Sequence, residues 1–400
     1  MRNSRIFSVC AICLTFAFSV GCGGGSSRNT ENTIVQSGNN VAPISVNGGP
    51  TGGYVDGAFA SVTLCAPGTS TCQTITDLLV DTGSSGIRIL SSALTIGLAQ
   101  QNSSSGNPVV ECLPFLDSYT WGPVQLADVQ IAGEKATSVP VQVLSDTDFT
   151  APSACTDFGP SANTLDALGA NGLLGVGLFA QDCGAYCEQV QTGANFNLYY
   201  QCPAAGCEPI AESLAQQVQN PVALFASDNN GVVLELPAVS GGQPSVSGSL
   251  VFGIGTQSNN ALGTATVYVP DSSGNFTTTY NGVAYPESFI DSGSNGYFFL
   301  DSSTTGILEC GDALGFYCPA STVNISADNQ GTNGSSGTVN FSVANADTLF
   351  ANQADTAFGD LGGTAPDTFD WGLPFFFGRN VFVAIEGKSA AGATGPYWAY

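Results

Sequence analysis

The strings Leu78-Leu79-Val80-Asp81-Thr82-Gly83-Ser84-Ser85 and Ser288-Phe289-Ile290-Asp291-Ser292-Gly293-Ser294-Asn295 share one grammar. Each is an apolar, strand-like run that ends in Asp, a small hydroxyl residue, Gly and Ser. Positions 81 and 291 are 210 residues apart, about a domain's length, so the pairing implies two related lobes that each bring one carboxylate to a shared place. Each Asp then ends a buried strand. The Gly two residues later permits a tight turn, and the following Ser can hydrogen-bond the carboxylate.

The remaining sequence favours strands. Fifty Gly and twenty Pro punctuate short apolar runs, and 43% hydrophobic residues in 400 can fill one large core or two ordinary ones. Residues 54–64, 74–80, 87–90, 124–131 and 139–144 read as strands, by alternation or by continuous apolarity. Residues 210–218, free of breakers before Pro221, are the best helix candidate. The Gly-, Pro- and Ser-rich segment 237–247 is the best internal boundary. It divides the mature chain into a first lobe, 46–238, and a second, 239–400, each with one Asp string.

Ahead of the first lobe, Arg2 and Arg5 precede an apolar stretch at 6–20 and then Gly21-Cys22. This resembles a bacterial lipoprotein signal over residues 1–22, with Cys22 as the lipidated first residue of the mature chain. Ser19 stands where that signal usually has Leu. Residues 23–45 then read as a flexible tether. The expected location is the cell envelope, exported and lipid-anchored at the outer membrane or cell surface.

Ten of the thirteen Cys follow the signal, at short spacings: Cys65 with Cys72, Cys310 with Cys318, and a cluster of Cys183, Cys187, Cys202 and Cys207. Cys112 and Cys155 remain. Export favours disulfides, while the four-Cys cluster also has gaps compatible with a zinc site; pairing within it is not deducible.

The sequence contains no His, which removes Ser-His-Asp and Cys-His nucleophile systems, His-ligated zinc and His general bases. Chemistry must run on carboxylates, hydroxyls or backbone. A net charge of −24 argues against nucleic acid as a partner. Two carboxylates at hydrogen-bond distance share a proton, so one serves as base and the other as acid toward a bound water. That chemistry needs neither metal nor cofactor, and none is expected.

In order along the chain, these strings resemble a pepsin-like, bilobed aspartic protease. Asp81-Thr82-Gly83-Ser84-Ser85 is similar to the family's first catalytic loop and Asp291-Ser292-Gly293-Ser294 to its second. Asn171-Gly172-Leu173-Leu174-Gly175-Val176-Gly177 resembles the apolar-apolar-Gly element beneath the first loop, and residues 375–382 resemble its counterpart beneath the second. Residues 248–253 look like the strand that opens the second lobe. The resemblance implies a mainly β fold of two pseudo-twofold-related lobes around a central cleft. It also implies a catalytic dyad of Asp81 and Asp291, supported by Thr82, Gly83, Ser84, Ser292, Gly293 and Ser294. An endopeptidase with an acidic optimum, acting as a monomer on extended polypeptide, is the expected activity; a peptide-binding surface lipoprotein with weak or no turnover is the alternative. The family's flap hairpin corresponds to residues 109–126, with Tyr119 and Trp121 as flap candidates. Arg88 stands about where the family carries a Trp.

Overall fold

The computed structural model describes residues 34–400, except Asp117 and 193–195. Cys22 and the whole signal-like segment lie outside the described residues.

Each Asp string sits in a frame of three strands. In the first, strand Cys72–Asp81 runs parallel to Gly172–Val176, with Leu79 opposite Leu173, Val80 opposite Leu174 and Asp81 opposite Gly175. The chain then turns at the Asp and returns as Ser85–Leu90, antiparallel to that same middle strand, so that Leu174 also faces Ile87. Continuous burial of these runs follows from their central place, since a strand covered on both faces has no polar side to present.

The second frame repeats this register. Strand Val283–Ile290 runs parallel to Ala365–Trp371, pairing Phe289 with Asp370 and Ile290 with Trp371, and Asp291 N–H donates to Trp371 C=O at 3.1 Å. Tyr297–Leu300 returns antiparallel, with Tyr297 facing Trp371 and Phe298 facing Asp370. Ile87 and Tyr297 hold the same offset from their Asp. The element beneath the second loop is therefore Asp370-Trp371-Gly372, which corrects the expectation for residues 375–382. The run Phe375-Phe376-Phe377-Gly378 satisfies an apolar-apolar-Gly pattern, but Pro374 opens a 3₁₀ turn at Leu373–Phe376, and these rings fill the core. A Cβ on Gly175 would approach Gly86 backbone atoms to 2.8 Å, and one on Gly372 would approach Gly296 C=O to 2.1 Å. Both positions need glycine because two backbones cross there.

A 16-stranded sheet carries the first frame and continues through Val41–Val46, Val246–Phe252, Gly231–Leu236, Arg379–Ala384 and Tyr397–Ala399. A separate seven-stranded sheet carries the second frame. The fold is mainly β and bilobed. Residues 248–253 lie almost wholly in strand Val246–Phe252, paired on one side with Val41–Val46 and on the other with Gly231–Leu236. One apolar cluster runs from Val80 and Leu174 through Phe252 to Ile290, Phe341 and Trp371. In the second half the aromatics interlock, with Trp371 ringed by Phe341, Phe369, Tyr297 and Phe375.

Residues 210–218 form turns, not a helix. Their polar groups are taken largely by tertiary partners: Gln101 Nε2 donates to Glu212 Oε1 and Gln216 C=O, and Gln217 Nε2 donates to Gly184 C=O as well as to the local Glu212 C=O. Such bonds outweigh a weak intrinsic preference.

Five disulfides join Cys65–Cys72, Cys112–Cys155, Cys183–Cys187, Cys202–Cys207 and Cys310–Cys318. The four-Cys cluster thus resolves into two local bridges, which leaves no thiolates for zinc. Five bridges fit an exported chain. Among the described residues no helix is long and apolar enough to cross a membrane.

Candidate active site

The two Asp turns meet tip to tip. Gly83 N–H donates to Asp81 Oδ1 at 2.8 Å and also reaches Asp291 Oδ1 at 3.1 Å, so one donor is shared by both carboxyls. Gly293 N–H donates to Asp291 Oδ1 at 2.7 Å. The outer oxygens are held by the serines: Ser84 Oγ donates to Asp81 Oδ2, and Ser294 Oγ to Asp291 Oδ2 at 3.0 Å.

Beneath the carboxyls the loops are cross-tied. Thr82 N–H donates to Ser292 Oγ at 3.1 Å, Ser292 N–H donates to Thr82 Oγ1 at 2.9 Å, and Ser292 Oγ donates onward to Val80 C=O at 2.6 Å. Thr82 and Ser292 are buried, so each bond also satisfies a group that water cannot reach. Steric fit enforces the approach. A Cβ on Gly83 would lie 2.6 Å from Asp291 Cγ, and one on Gly293 would lie 2.9 Å from Asp81 Oδ1. The structure thus brings together Asp81, Asp291, Thr82, Gly83, Ser84, Ser292, Gly293 and Ser294.

Burial pushes the Asp291 carboxyl well above the usual carboxylate range; the charges of Asp81 and Asp370 and a hydrogen bond with Asp81 add to the shift, against the pull of the Gly293 N–H.

A cleft of about 530 Å³ opens over the pair. Leu113, Phe115, Leu116, Phe158, Leu178 and Phe179 line it from the first half, and Phe289 and Ile290 from the second. The hairpin made by Val109–Pro114 and Tyr119–Ile131 reaches this cleft. Its cleft-lining residues include Leu113, Pro114, Phe115 and Leu116, with Leu116 89% exposed. Tyr119 and Trp121 do not line the cleft. Both pack in a cluster with Tyr200 and the Cys112–Cys155 bridge, and Trp121 Nε1 donates to Phe149 C=O at 2.8 Å. Alternation along the strand turns these two rings inward.

Arg88 is fully buried and ties the hairpin to the loop. Its guanidinium donates to Ser85 C=O at 2.8 Å, to Glu111 Oε1 at 2.7 Å and to Asp182 Oδ2 at 2.9 Å. Tyr199 OH donates to Asp182 Oδ1 at 2.7 Å. Two acids face this one cation. Burial and then the Glu111 charge push Asp182 upward, and Arg88 opposes them. Neither Glu111 nor Asp182 stood out in the sequence, because their partners come from distant segments.

Asp370 was also missed. It is 3% exposed beside the second loop. Burial is the main cause that pushes its carboxyl up to about 8; a hydrogen bond from Ser294 opposes this, and the Asp81 charge adds to it. The only sequence signal was a Gly preceded by a short run that ends in Asp-Trp. A single group of candidate metal ligands stands among the described residues, Cys310, Cys318 and Asp347, and its two thiols are joined as a disulfide.

An aspartic proteinase from Irpex lacteus has a similar solved structure, with a TM-score of 0.52 and 13% identity, over 90% of this chain and 96% of that one. At that identity the likeness establishes the fold alone. No curated protein matches the sequence. Residues 36–400 match the family described as "Protein of unknown function (DUF3443)", and the chain belongs to that family.

Proposed function

We propose that this protein is an aspartic-type endopeptidase that hydrolyses peptide bonds with a water held between Asp81 and Asp291. The observation that carries the reading is the Gly83 N–H shared by both carboxyls, with each outer oxygen held by its own serine. Asp81 takes a proton from the water as it attacks the peptide carbonyl, and Asp291 gives its proton to the developing oxyanion. The attacking oxygen forms the new C–O bond; Asp81 then gives the proton it took to the amine nitrogen as the C–N bond breaks, and Asp291 recovers its proton from the gem-diol hydroxyl as the new carboxyl forms. No covalent intermediate arises.

The substrate is polypeptide in extended form, laid across the cleft under the hairpin. Activity needs one proton on the pair, so it is lost as the pH rises through the raised Asp291 value, which stretches an acidic optimum upward. The protein acts as a monomer, held to the cell envelope through lipid on Cys22 and not through any nucleic-acid or other membrane contact.

A second reading, peptide binding with little turnover, is favoured by one observation: among the described residues, those of the hairpin that line the cleft are apolar and bring no hydroxyl over the carboxyls. The deciding experiment is digestion of an unfolded protein between pH 3 and 6, with and without a statine-type inhibitor, beside Asp81→Asn and Asp291→Asn. Inhibitor-sensitive cleavage that both variants lose supports the enzyme. Binding of peptide without cleavage by the unaltered chain sinks it in favour of the second reading.

A further inference from the structure

Strand Ser85–Leu90 is buried at every position, and Arg88 stands in its middle. A guanidinium there is costly unless its donors are taken. Nη1 donates to Ser85 C=O at 2.8 Å, and Nη2 donates to Glu111 Oε1 at 2.7 Å and to Asp182 Oδ2 at 2.9 Å. Both acids are themselves buried, so these are ion pairs that salt and water screen little. At the same offset from Asp291 the second frame has Phe298, packed on the Phe316 ring. The cation thus belongs to the half that carries the hairpin.

Its three partners belong to three walls of the cleft. Ser85 follows directly on Ser84, which holds the outer oxygen of Asp81, and both line the cleft. Glu111 lies on the hairpin arm Val109–Pro114, which leads into the lining residues Leu113 to Leu116. Asp182 ends the lining run that begins at Gly177. Behind them, Tyr199 pairs with Glu111 from the neighbouring strand, donates to Asp182 Oδ1 at 2.7 Å and accepts from Val218 N–H at 2.7 Å. We propose that Arg88 is a positioning residue that holds the hairpin and the first Asp loop in fixed relation, through Glu111 on the arm and Ser85 on the loop. This inference rests on the endopeptidase reading for its kinetic test and stands apart from it for its exchange test.

The two ends of the guanidinium act differently. Nη2 fixes how far the arm stands from the loop, and so how Leu113 to Leu116 meet a bound peptide; this end acts on substrate binding. Nη1 fixes Ser85 C=O, and with it the turn that carries Ser84 and Asp81; this end acts on the chemical step. Other ties keep the arm folded without Arg88. Glu111 C=O accepts from Gln142 Nε2 at 2.8 Å, Cys112 N–H donates to Leu198 C=O at 2.7 Å, and Cys112 is bridged to Cys155. Loss of Glu111 alone leaves Arg88 paired with Asp182 and bonded to Ser85, so it releases the arm without leaving a bare charge in the core.

The test compares the full chain with Glu111→Ala, Glu111→Gln and Arg88→Met, by kcat and KM on a peptide substrate, by amide hydrogen exchange over 109–116 and by thermal melts. In Glu111→Ala, KM rises about tenfold, kcat stays within about threefold, and exchange over 109–116 quickens about tenfold while that over 246–252 is unchanged. Glu111→Gln, which keeps an acceptor for Nη2, shows smaller changes of the same kind. Arg88→Met raises KM and also lowers kcat, each by about tenfold; if it does not fold, Glu111→Ala decides alone. A lower melting temperature in Glu111→Ala with KM and exchange unchanged means an ion pair that serves stability only, and overturns the role. If the unaltered chain does not cleave at all, the endopeptidase reading fails instead, and exchange decides. It must then quicken over 109–116 in Glu111→Ala; an unchanged rate refutes the inference.

Discussion

The first and second Asp frames share strand order, register, the hydroxyl residue after Asp, the turn glycine and the serine on the outer oxygen. They differ in what lies under and around those parts. Leu173 and Arg88 face each other in the first frame where Asp370 and Phe298 face each other in the second. Thus a cation with two acids braces the hairpin on one side, and a lone buried acid stands behind the carboxyl on the other. The lesson is that a repeated backbone fixes where two carboxyls meet, while the neighbours packed around each half are free to differ.

The turn glycines offer the sharpest break of that symmetry. Gly83→Ala drives its Cβ into the Asp291 carboxyl, so activity falls by at least about 100-fold. Gly293→Ala meets Asp81 less closely and costs less. Equal losses in a proteolysis assay would show that the halves are interchangeable at this point.

Disulfides come next. Four of the five lie in the first half, and Cys112–Cys155 closes 43 residues against 8 for Cys310–Cys318. By loop length their removal costs about 4 and about 2.5 kcal/mol respectively. Denaturant unfolding of the two Cys-to-Ala pairs checks the order, and a greater loss from the second pair would reverse the comparison.

The cross-tie is also unequal. Ser292 Oγ both accepts from Thr82 N–H and donates to Val80 C=O, whereas Thr82 Oγ1 accepts only from Ser292 N–H among these bonds. Ser292→Ala is expected to cost about 2 kcal/mol and Thr82→Ala about 1, read from urea midpoints. Matching values would mean that the Val80 contact contributes nothing.

The smallest effect concerns pH and stability. Asp370 and Glu212 are raised to about 8 and about 7 by burial, so the folded state binds their protons more tightly than the unfolded chain does. Their contribution is complete below the unfolded values near 4 and is lost as pH rises through the folded ones. Tm at pH 8 should lie below that at pH 4, by on the order of 5 °C. In Asp370→Asn the difference should shrink. A Tm that rises with pH across this window would contradict the assignment of a buried, protonated acid to the second frame.

Much of the site was legible in the sequence because its grammar is local. The Asp, the turn glycine and the serine lie within four residues of one another, and both strings carry all three. The glycine element beneath the first loop, with Leu173-Leu174-Gly175, was equally plain. Its partner was misplaced to residues 375–382 because the true element, Asp370-Trp371-Gly372, breaks the apolar pattern by which such elements are found. The inward turn of Tyr119 and Trp121, the turns at 210–218 and the Arg88–Glu111–Asp182 group depend on pairing between distant segments, which local patterns do not encode.

By itself the sequence determined a β-rich chain with two matching Asp turns and, through the absence of His, a chemistry limited to carboxylates, hydroxyls and backbone. These follow from covalent order and composition. Only the tertiary structure decided that the two turns share a donor, that the hairpin presents Leu113–Leu116 to the cleft, and that Asp370 is buried beside the second loop. Those facts are set by strand register across the two frames and by burial, which raises the hold of Asp370 on a proton.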